Sequence, residues 1–303
     1  MPNIYNNIDN NKRETILIMV IFIAVVSFIG WFLGEYMLGR GFGFSAMGIA
    51  LIFSGFSSIF SYYYSDQMVL AISGAREVKQ TENPYLHNLV GNLCIGAGLP
   101  KPRIYMINDT AMNAFATGRD PQHAVICFTS GIVDGLEKLE LEGVIAHELS
   151  HIQNYDIRLM SIVSILVGTV TLLADWFTRG FFYGRGRKRS GGDGEIGGIL
   201  FIVGIILVIL SPIIATLIKL ALSRNREYLA DASGALLTRY PAGLASALRK
   251  ISSDKEVLEA ANGATAHLYI ANPLKASQVS GAIAGMFDTH PPVVERIKRL
   301  EQM

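Results

Sequence analysis

The amino-acid sequence predicts a predominantly helical α+β protein, a multi-pass membrane chain whose soluble part holds a small β-sheet. Three observations point there. Uncharged apolar runs long enough for a bilayer recur along the chain, two short β-rich segments lie between the first pair of runs and the second, and a helical window carries HExxH at residues 147–151. Half of the 303 residues are hydrophobic and only 17% are charged, against about 25% in ordinary soluble domains. The charge balance excludes other classes: 26 basic and 25 acidic residues leave a net charge of +1, which argues against disorder and leaves no electrostatic footprint for nucleic acid. Cys94 and Cys127 stand outside any CxxC pair, so no disulfide framework is expected, and a reducing compartment suits the soluble part.

After Lys12, Arg13 and Glu14, residues 16–33 run uncharged up to Gly34 and Glu35. A helix of that length spans about 27 Å, enough for the hydrocarbon core. The run exceeds a signal-peptide core and no A-x-A site follows it, so it reads as a retained anchor. Residues 41–65 form a second uncharged run with Tyr62, Tyr63 and Tyr64 at one end, where an aromatic belt belongs, and complete a transmembrane hairpin over 1–65.

Residues 66–156 read as the first part of a globular domain. Asn83 and Pro84 start a helix with Leu86, Leu89, Val90, Leu93 and Cys94 on one face, which Gly96 or Gly98 ends. Segments 103–107 and 124–129 read as strands separated by the turn-rich NDTAMNAFATGRDPQ. Ser130 and Gly131 lead into a helix with Leu136, Leu139, Val144 and Ile145 on its apolar side. Residues 157–222 hold a second apolar hairpin, runs 159–174 and 196–218, around a basic, glycine-rich segment at 178–196 that reads as a flexible solvated loop. Residues 223–303 return to helical periodicity, broken at Pro241, Pro273 and Pro291.

The chemistry is carried by VIAHELSHI, residues 144–152. His147 and His151 are four apart, so their imidazoles stack on one helix face and can bind one metal ion. Glu148 projects beside such an ion, where a carboxylate can accept a proton from water. The bland alternative is a charged amphipathic face. Val144, Ile145, Ala146, Leu149 and Ile152 surround the motif with apolar groups, however, and half-buried histidines and a glutamate without partners each cost desolvation energy. A reactive zinc site needs a third protein ligand and one open position. In SRNREYLADASGALL, residues 223–237, Glu227 and Asp231 are again four apart. Glu227 can be that ligand and Asp231 can accept the free N–H of a ligand histidine, while an ordinary salt-bridged face of Arg224, Arg226, Glu227 and Asp231 competes with this reading. His87, His123 and His267 have no partner at ligand spacing and read as surface or hydrogen-bonded histidines.

HExxH, then ExxxD, then THPPVVERI at 289–297, set among membrane hairpins, resembles the HtpX family of membrane-bound zinc metalloproteases. The likeness runs from the NKRE before the first span to His290 and Arg296. It implies a zincin-type catalytic domain with one Zn2+ held by His147, His151 and Glu227, and Glu148 as general base. It places the site on the cytoplasmic side of the cell membrane and gives the protein a quality-control role, with unfolded or membrane protein substrates and the lipid bilayer as partners and no nucleic acid. It implies further that Asn113, Ala114, Phe115 and Ala116 pair with the substrate backbone as an edge strand, that His290 donates to the oxyanion, and that Arg296 helps to hold that segment. The competing function is a membrane chaperone or scaffold without proteolysis. That reading predicts a damaged constellation, and His147, Glu148, His151 and Glu227 are all present.

Meeting at one ion requires an even number of crossings between His151 and Glu227. Lys12 and Arg13 hold the N-terminus inside, which puts 35–40 outside and the chain from Asp66 inside. Two further crossings place the five basic residues of 178–196 outside, against the same rule; either two crossings override it or the hairpin is embedded without crossing, and of these we favour two crossings.

Overall fold

A computed structural model of the chain describes residues 4–183, 224–254, 256–260, 265–271 and 291–303. Helix α1 (Ile4–Leu33) contains the first apolar run and begins well before it, so that Asn11 and Thr15 are helical and buried. A π-helical turn (Gly34–Leu38) leads back into α2 (Gly43–Ile72). Glu35 Oε2 accepts the Gly43 N–H at 3.2 Å, so the carboxylate of the connecting loop satisfies a donor at the start of α2. The helices touch through small residues: a Cβ on Gly30 would lie 2.4 Å from the Cβ of Ala50. Their outer faces expose Ile16, Phe44, Ile49, Ile52 and Phe56, the kind of surface a bilayer covers. Among the described residues these are the two helices long and apolar enough to cross a membrane. Helix α2 does not end where the uncharged run ends. Asp66, its first charge, accepts from Arg103 at 2.8 Å, and the helix carries on to Ile72.

Beyond the hairpin come strand β1 (Arg76–Glu77), helix α3 (Pro84–Ala97) and strands β2 (Arg103–Ile107), β3 (Ala114–Thr117) and β4 (Val125–Thr129). Asn83 Oδ1 caps α3 by accepting the Leu86 N–H, and Gly98 ends it at φ +66°. The sheet order is β1-β2-β4-β3, with β2 and β4 parallel and both outer pairs antiparallel. Strand β3 lies inside the segment that reads as turn-rich. Four residues flanked by Asn113 and Gly118 are too short to assert themselves over their neighbours, and the pairing Phe115↔Cys127 makes them a strand. Ile104, Ile126 and Phe128 face a core shared with α3, whereas Phe115, Val125 and Cys127 face Ile18, Phe22 and Val69 of α1 and α2. Burial on both faces explains why β4 is a continuous apolar run.

The helix expected after β4 is two, α4 (Ser130–Gly135) and α5 (Lys138–Gln153). Glu137 and Glu140 form a capping box that starts α5 afresh, with Glu140 Oε2 accepting the Glu137 N–H at 2.8 Å. The restart rotates Leu139 away from the apolar side, and it is 50% exposed. Helix α6 (Asp156–Tyr183) follows. Leu159, Ile162, Val163 and Leu166 are buried in the core beneath the sheet, so this stretch of the third run faces protein. Helix α6 also includes 178–183, the first part of the segment read as a loop; that reading weighed Arg179 and Gly180 above Phe181, Phe182 and Tyr183, and one helical glycine costs only about 1 kcal/mol. The rest of that segment, the run 196–218 and His290 lie outside the described residues. Helices α7 (Arg224–Thr238) and α8 (Pro241–Ser253) pack on α5, and α9 (Val293–Leu300) packs on both of them.

Candidate metal centre

Helix α7 crosses α5 at Gly234, where an added Cβ would lie 3.0 Å from the backbone nitrogen of His147. That close approach lets Glu227, two turns earlier on α7, reach the histidine face of α5. His147 Nε2 and His151 Nε2 are 3.2 Å apart. Glu227 Oε1 lies 3.5 Å from the second of these nitrogens and Oε2 lies 3.8 Å from the first. Ligand atoms around a tetrahedral ion with bonds of about 2.0–2.1 Å sit about 3.3 Å apart, so the three side chains are spaced as such an ion requires. Each histidine turns its other nitrogen to a carboxylate: His147 Nδ1 is 3.0 Å from Asp231 Oδ1, and His151 Nδ1 is 3.0 Å from Asp156 Oδ2. His151 Nδ1 is hydrogen-bonded to Asp156, whereas His147 Nδ1 lies at ion-pair distance from Asp231 without a hydrogen bond, and the two Nε2 atoms face one another where a cation would sit.

The electrostatics agree with the geometry. Glu148, Asp156, Glu227 and Asp231 bring four carboxylates into buried surroundings with the guanidiniums of Arg226 and Arg296. The carboxylates outnumber the guanidiniums, an excess that a bound cation would reduce. Burial lifts the Glu148 carboxyl to about 7; the Glu227 charge adds to the rise, and His151, Arg296 and the Ala116 N–H oppose it. Burial pushes His147 below its ordinary value. Burial acts on His151 in the same direction, but the Asp156 hydrogen bond and the Glu227 charge outweigh it and raise that imidazole to about 9.

The structure brings together six residues singled out in the sequence: His147, Glu148, His151, Glu227, Asp231 and Arg296. Glu227 and Asp231 are each 3% exposed, which removes the solvated salt-bridge reading of their helix. Arg296 does more than hold its own segment. It donates from Nε and Nη2 to the two oxygens of Asp231 at 2.8 and 2.7 Å, and from Nη1 to Ile270 O at 3.1 Å. Strand β3 is the edge of the sheet beside Glu148, and the Ala116 N–H donates to that carboxylate. The edge is not open along its length, because Ala114 O accepts from the Ile270 N–H at 2.9 Å and Asn113 Nδ2 donates to Ala271 O at 3.0 Å. Phe115 turns to the other face, its ring centroid 5.0 Å from that of Tyr269. His87, His123 and His267 lie elsewhere, partnered by Val78 O, Asp120 and Ser164 respectively. Asp156 escaped the sequence reading. It follows Tyr155, whose φ of +61° interrupts the helix, so no periodic spacing links it to His151.

The sequence profile of peptidase family M48 matches residues 80–303, which contain every side chain of this cluster. The chain belongs to peptidase family M48. Protease HtpX homologs are similar to it over almost their whole length. That of Dictyoglomus thermophilum is 44% identical over 299 residues, covering 99% of this chain and 94% of the relative. That of Tropheryma whipplei strain Twist is 42% identical, with coverage of 99% and 98%. The fold is shared with a crystal structure of S. mikatae Ste24p at a TM-score of 0.51 and 20% identity, over 84% of this chain and 58% of that one. The present chain thus spans a little over half the length of that protein. M48 membership and the HtpX relatives make the protein a metalloprotease. Its metal-capable group among the described residues is His147, His151 and Glu227, all buried, with ligand atoms within 4.8 Å of one another.

Proposed function

We propose that the protein is a membrane-bound zinc endopeptidase that cleaves misfolded or damaged membrane proteins at the cytoplasmic face of the cell membrane. The observation that carries the reading is the meeting of His147 Nε2, His151 Nε2 and Glu227 beside a buried Glu148, in a chain with two long apolar helices. Two imidazoles and a carboxylate are a donor set that zinc accepts with one position left open. His147, His151 and Glu227 would hold the ion, which would supply Lewis-acid polarisation of a scissile carbonyl and of water near neutral pH. Glu148 takes the proton released by the attacking water and delivers it to the leaving amine, a double task that suits a carboxyl lifted to about 7. Asp231 and Asp156 hold the two imidazoles with Nδ1 protonated, leaving each Nε2 as a donor of electrons. Arg296 keeps Asp231 charged. His290 donates a hydrogen bond to the oxyanion, a role that rests on the family resemblance. An extended peptide laid beside the segment of Asn113, Ala114, Phe115 and Ala116 is placed at its Ala116 end, since Ile270 and Ala271 already take Ala114 O and the Asn113 amide. The backbone hydrogen bonds it gains there do not depend on sequence. Such binding suits unfolded substrates.

The test uses full-length protein in detergent, assayed for zinc content and for cleavage of an unfolded protein. One zinc per chain and chelator-sensitive cleavage are expected. Glu148→Gln should keep its zinc and lose about 10²–10⁴-fold in rate, and His290→Ala should keep its zinc and lose about 10²–10³-fold. Wild-type cleavage by zinc-loaded Glu148→Gln would overturn the mechanism. A zinc-loaded wild-type chain that suppresses aggregation without cutting would establish the chaperone instead.

A further inference from the structure

Asn11 is a polar side chain only 3% exposed, on the helix that leads into the membrane, and the hydrolysis proposed above does not use it. Burying an amide is unfavourable unless its donors are satisfied. Here Nδ2 donates to Asp156 Oδ1 at 2.6 Å and to Asn154 O at 2.8 Å. The other oxygen of that carboxylate, Oδ2, accepts from His151 Nδ1 at 3.0 Å. One carboxylate therefore separates the anchor helix from a metal-facing imidazole. Arg226, the neighbour of Glu227 on α7, brings Nε to 3.5 Å from the same Oδ1 and pairs with Glu14, one turn along α1 from Asn11. The turn that aims Asp156 backwards passes through Tyr155 at φ +61°, a conformation that a non-glycine residue adopts only when its surroundings hold it there. The Lys12 ammonium sits 4.7 Å over the Tyr155 ring. Consecutive residues of α1 thus hold both the turn and the carboxylate.

We propose that Asn11 is a positioning residue of the metal centre. Held by the membrane anchor, it fixes the Asp156 carboxylate, which keeps His151 in the Nδ1–H form with Nε2 turned to the cation. The inference rests on the reading of His147, His151 and Glu227 as ligands. Its physical content lies in a competition for one oxygen. Asp156 Oδ1 has two suitors, Asn11 and Arg226, and without the amide the carboxylate turns toward the guanidinium and away from His151. Helix α1 is then part of the metal site as well as an anchor, and metal affinity depends on how its polar end is seated.

The experiment uses full-length protein in detergent micelles. It measures zinc affinity by competition with a chromophoric chelator, the visible absorption of the Co2+-loaded form, and thermal unfolding of the metal-free form. Asn11→Ala should weaken zinc binding about 10- to 100-fold and alter the cobalt bands, and Asp156→Ala should do the same or more. Thr15→Ala is the control. Thr15 is buried on the same helix and its hydroxyl donates to Asn11 O at 2.7 Å without touching Asp156. It should lower stability while leaving zinc affinity and the cobalt spectrum unchanged. If Asn11→Ala does not fold, Asn11→Leu fills a similar volume without the donor. Wild-type zinc affinity and cobalt spectrum in a folded Asn11 variant overturn the inference, as does an equal loss in Thr15→Ala. Failure of the wild-type chain to bind zinc at all refutes the ligand reading itself.

Discussion

Glu148 is the residue in which burial and chemistry pull hardest against one another. Desolvation lifts its carboxyl from 4.5 to about 7, so between those values the folded, metal-free protein keeps a proton that the unfolded chain has released. The folded state then binds more protons, and this group makes stability fall as pH rises from about 4.5 to 7, with no further change above. Glutamine cannot titrate. The stability advantage of metal-stripped Glu148→Gln over wild type should therefore be near its minimum at pH 4.5, grow by up to about 3 kcal/mol, and level off beyond neutrality. Thermal unfolding of both proteins across that range checks it, and a difference independent of pH refutes the assignment. A companion pair separates ligand from support. Glu227→Ala should lose the metal on dialysis against a weak chelator, whereas Asp231→Ala, which removes the carboxylate beside His147 Nδ1 and also unpairs the buried Arg296, should lower stability but weaken binding only about 10- to 100-fold. Stoichiometric zinc in Glu227→Ala would move the third ligand elsewhere.

At the scale of elements, the site is made by the contact of α5 with α7, and two glycines on α5 and its neighbours distinguish positioning from packing. A Cβ at Gly234 would meet His147 N at 3.0 Å and Ala146 C at 3.2 Å, and α7 carries both Glu227 and Asp231. A Cβ at Gly143 would meet Leu244 N at 2.7 Å, on α8, which contributes nothing to the cluster. Both Gly→Ala changes crowd backbone against backbone and should cost about 1–3 kcal/mol of stability. Only Gly234→Ala should also weaken metal binding, as read by chelator competition. What the sequence could disclose follows the same division. The spacings of His147 and His151, and of Glu227 and Asp231, are periodic within single helices and so legible. The break of one expected helix at Leu136 hinged on a capping box of two glutamates, a signal that the apolar period hides. Strand β3 was legible through the family resemblance alone, since local composition around it suggests only turns and its pairing with β4 makes it a strand. Asp156 is linked to His151 across a left-handed residue, and Asn11 to Asp156 across 145 positions of chain, and no local pattern carries such contacts.

On the scale of the whole molecule, the charges flanking the first hairpin bear on which side of the membrane holds the metal centre. Lys12 and Arg13 precede the first span and the loop around Arg40 separates it from the second, so the positive-inside rule puts that loop outside and the sheet domain inside. The native thiols make this testable in an otherwise unchanged protein. Cys94 and Cys127 are buried, and burial pushes the first up to about 11 and the second higher still, so neither offers a thiolate to a reagent at neutral pH. Arg40→Cys and Gln80→Cys each add one exposed cysteine, in the hairpin loop and in the turn before α3 respectively. With a membrane-impermeant maleimide, Arg40→Cys should label in intact cells and Gln80→Cys only after the cells are opened. Single cysteines at residues 185–194, outside the described residues, should label in intact cells as well if the second apolar hairpin crosses twice, because two crossings put that segment outside and return the chain to Glu227 on the side of His151. The reverse pattern at Arg40 and Gln80 would put the metal centre outside the cell and end the cytoplasmic reading. A hairpin loop and a 185–194 probe on opposite sides would keep the centre inside while showing that the second apolar hairpin enters the membrane without crossing it.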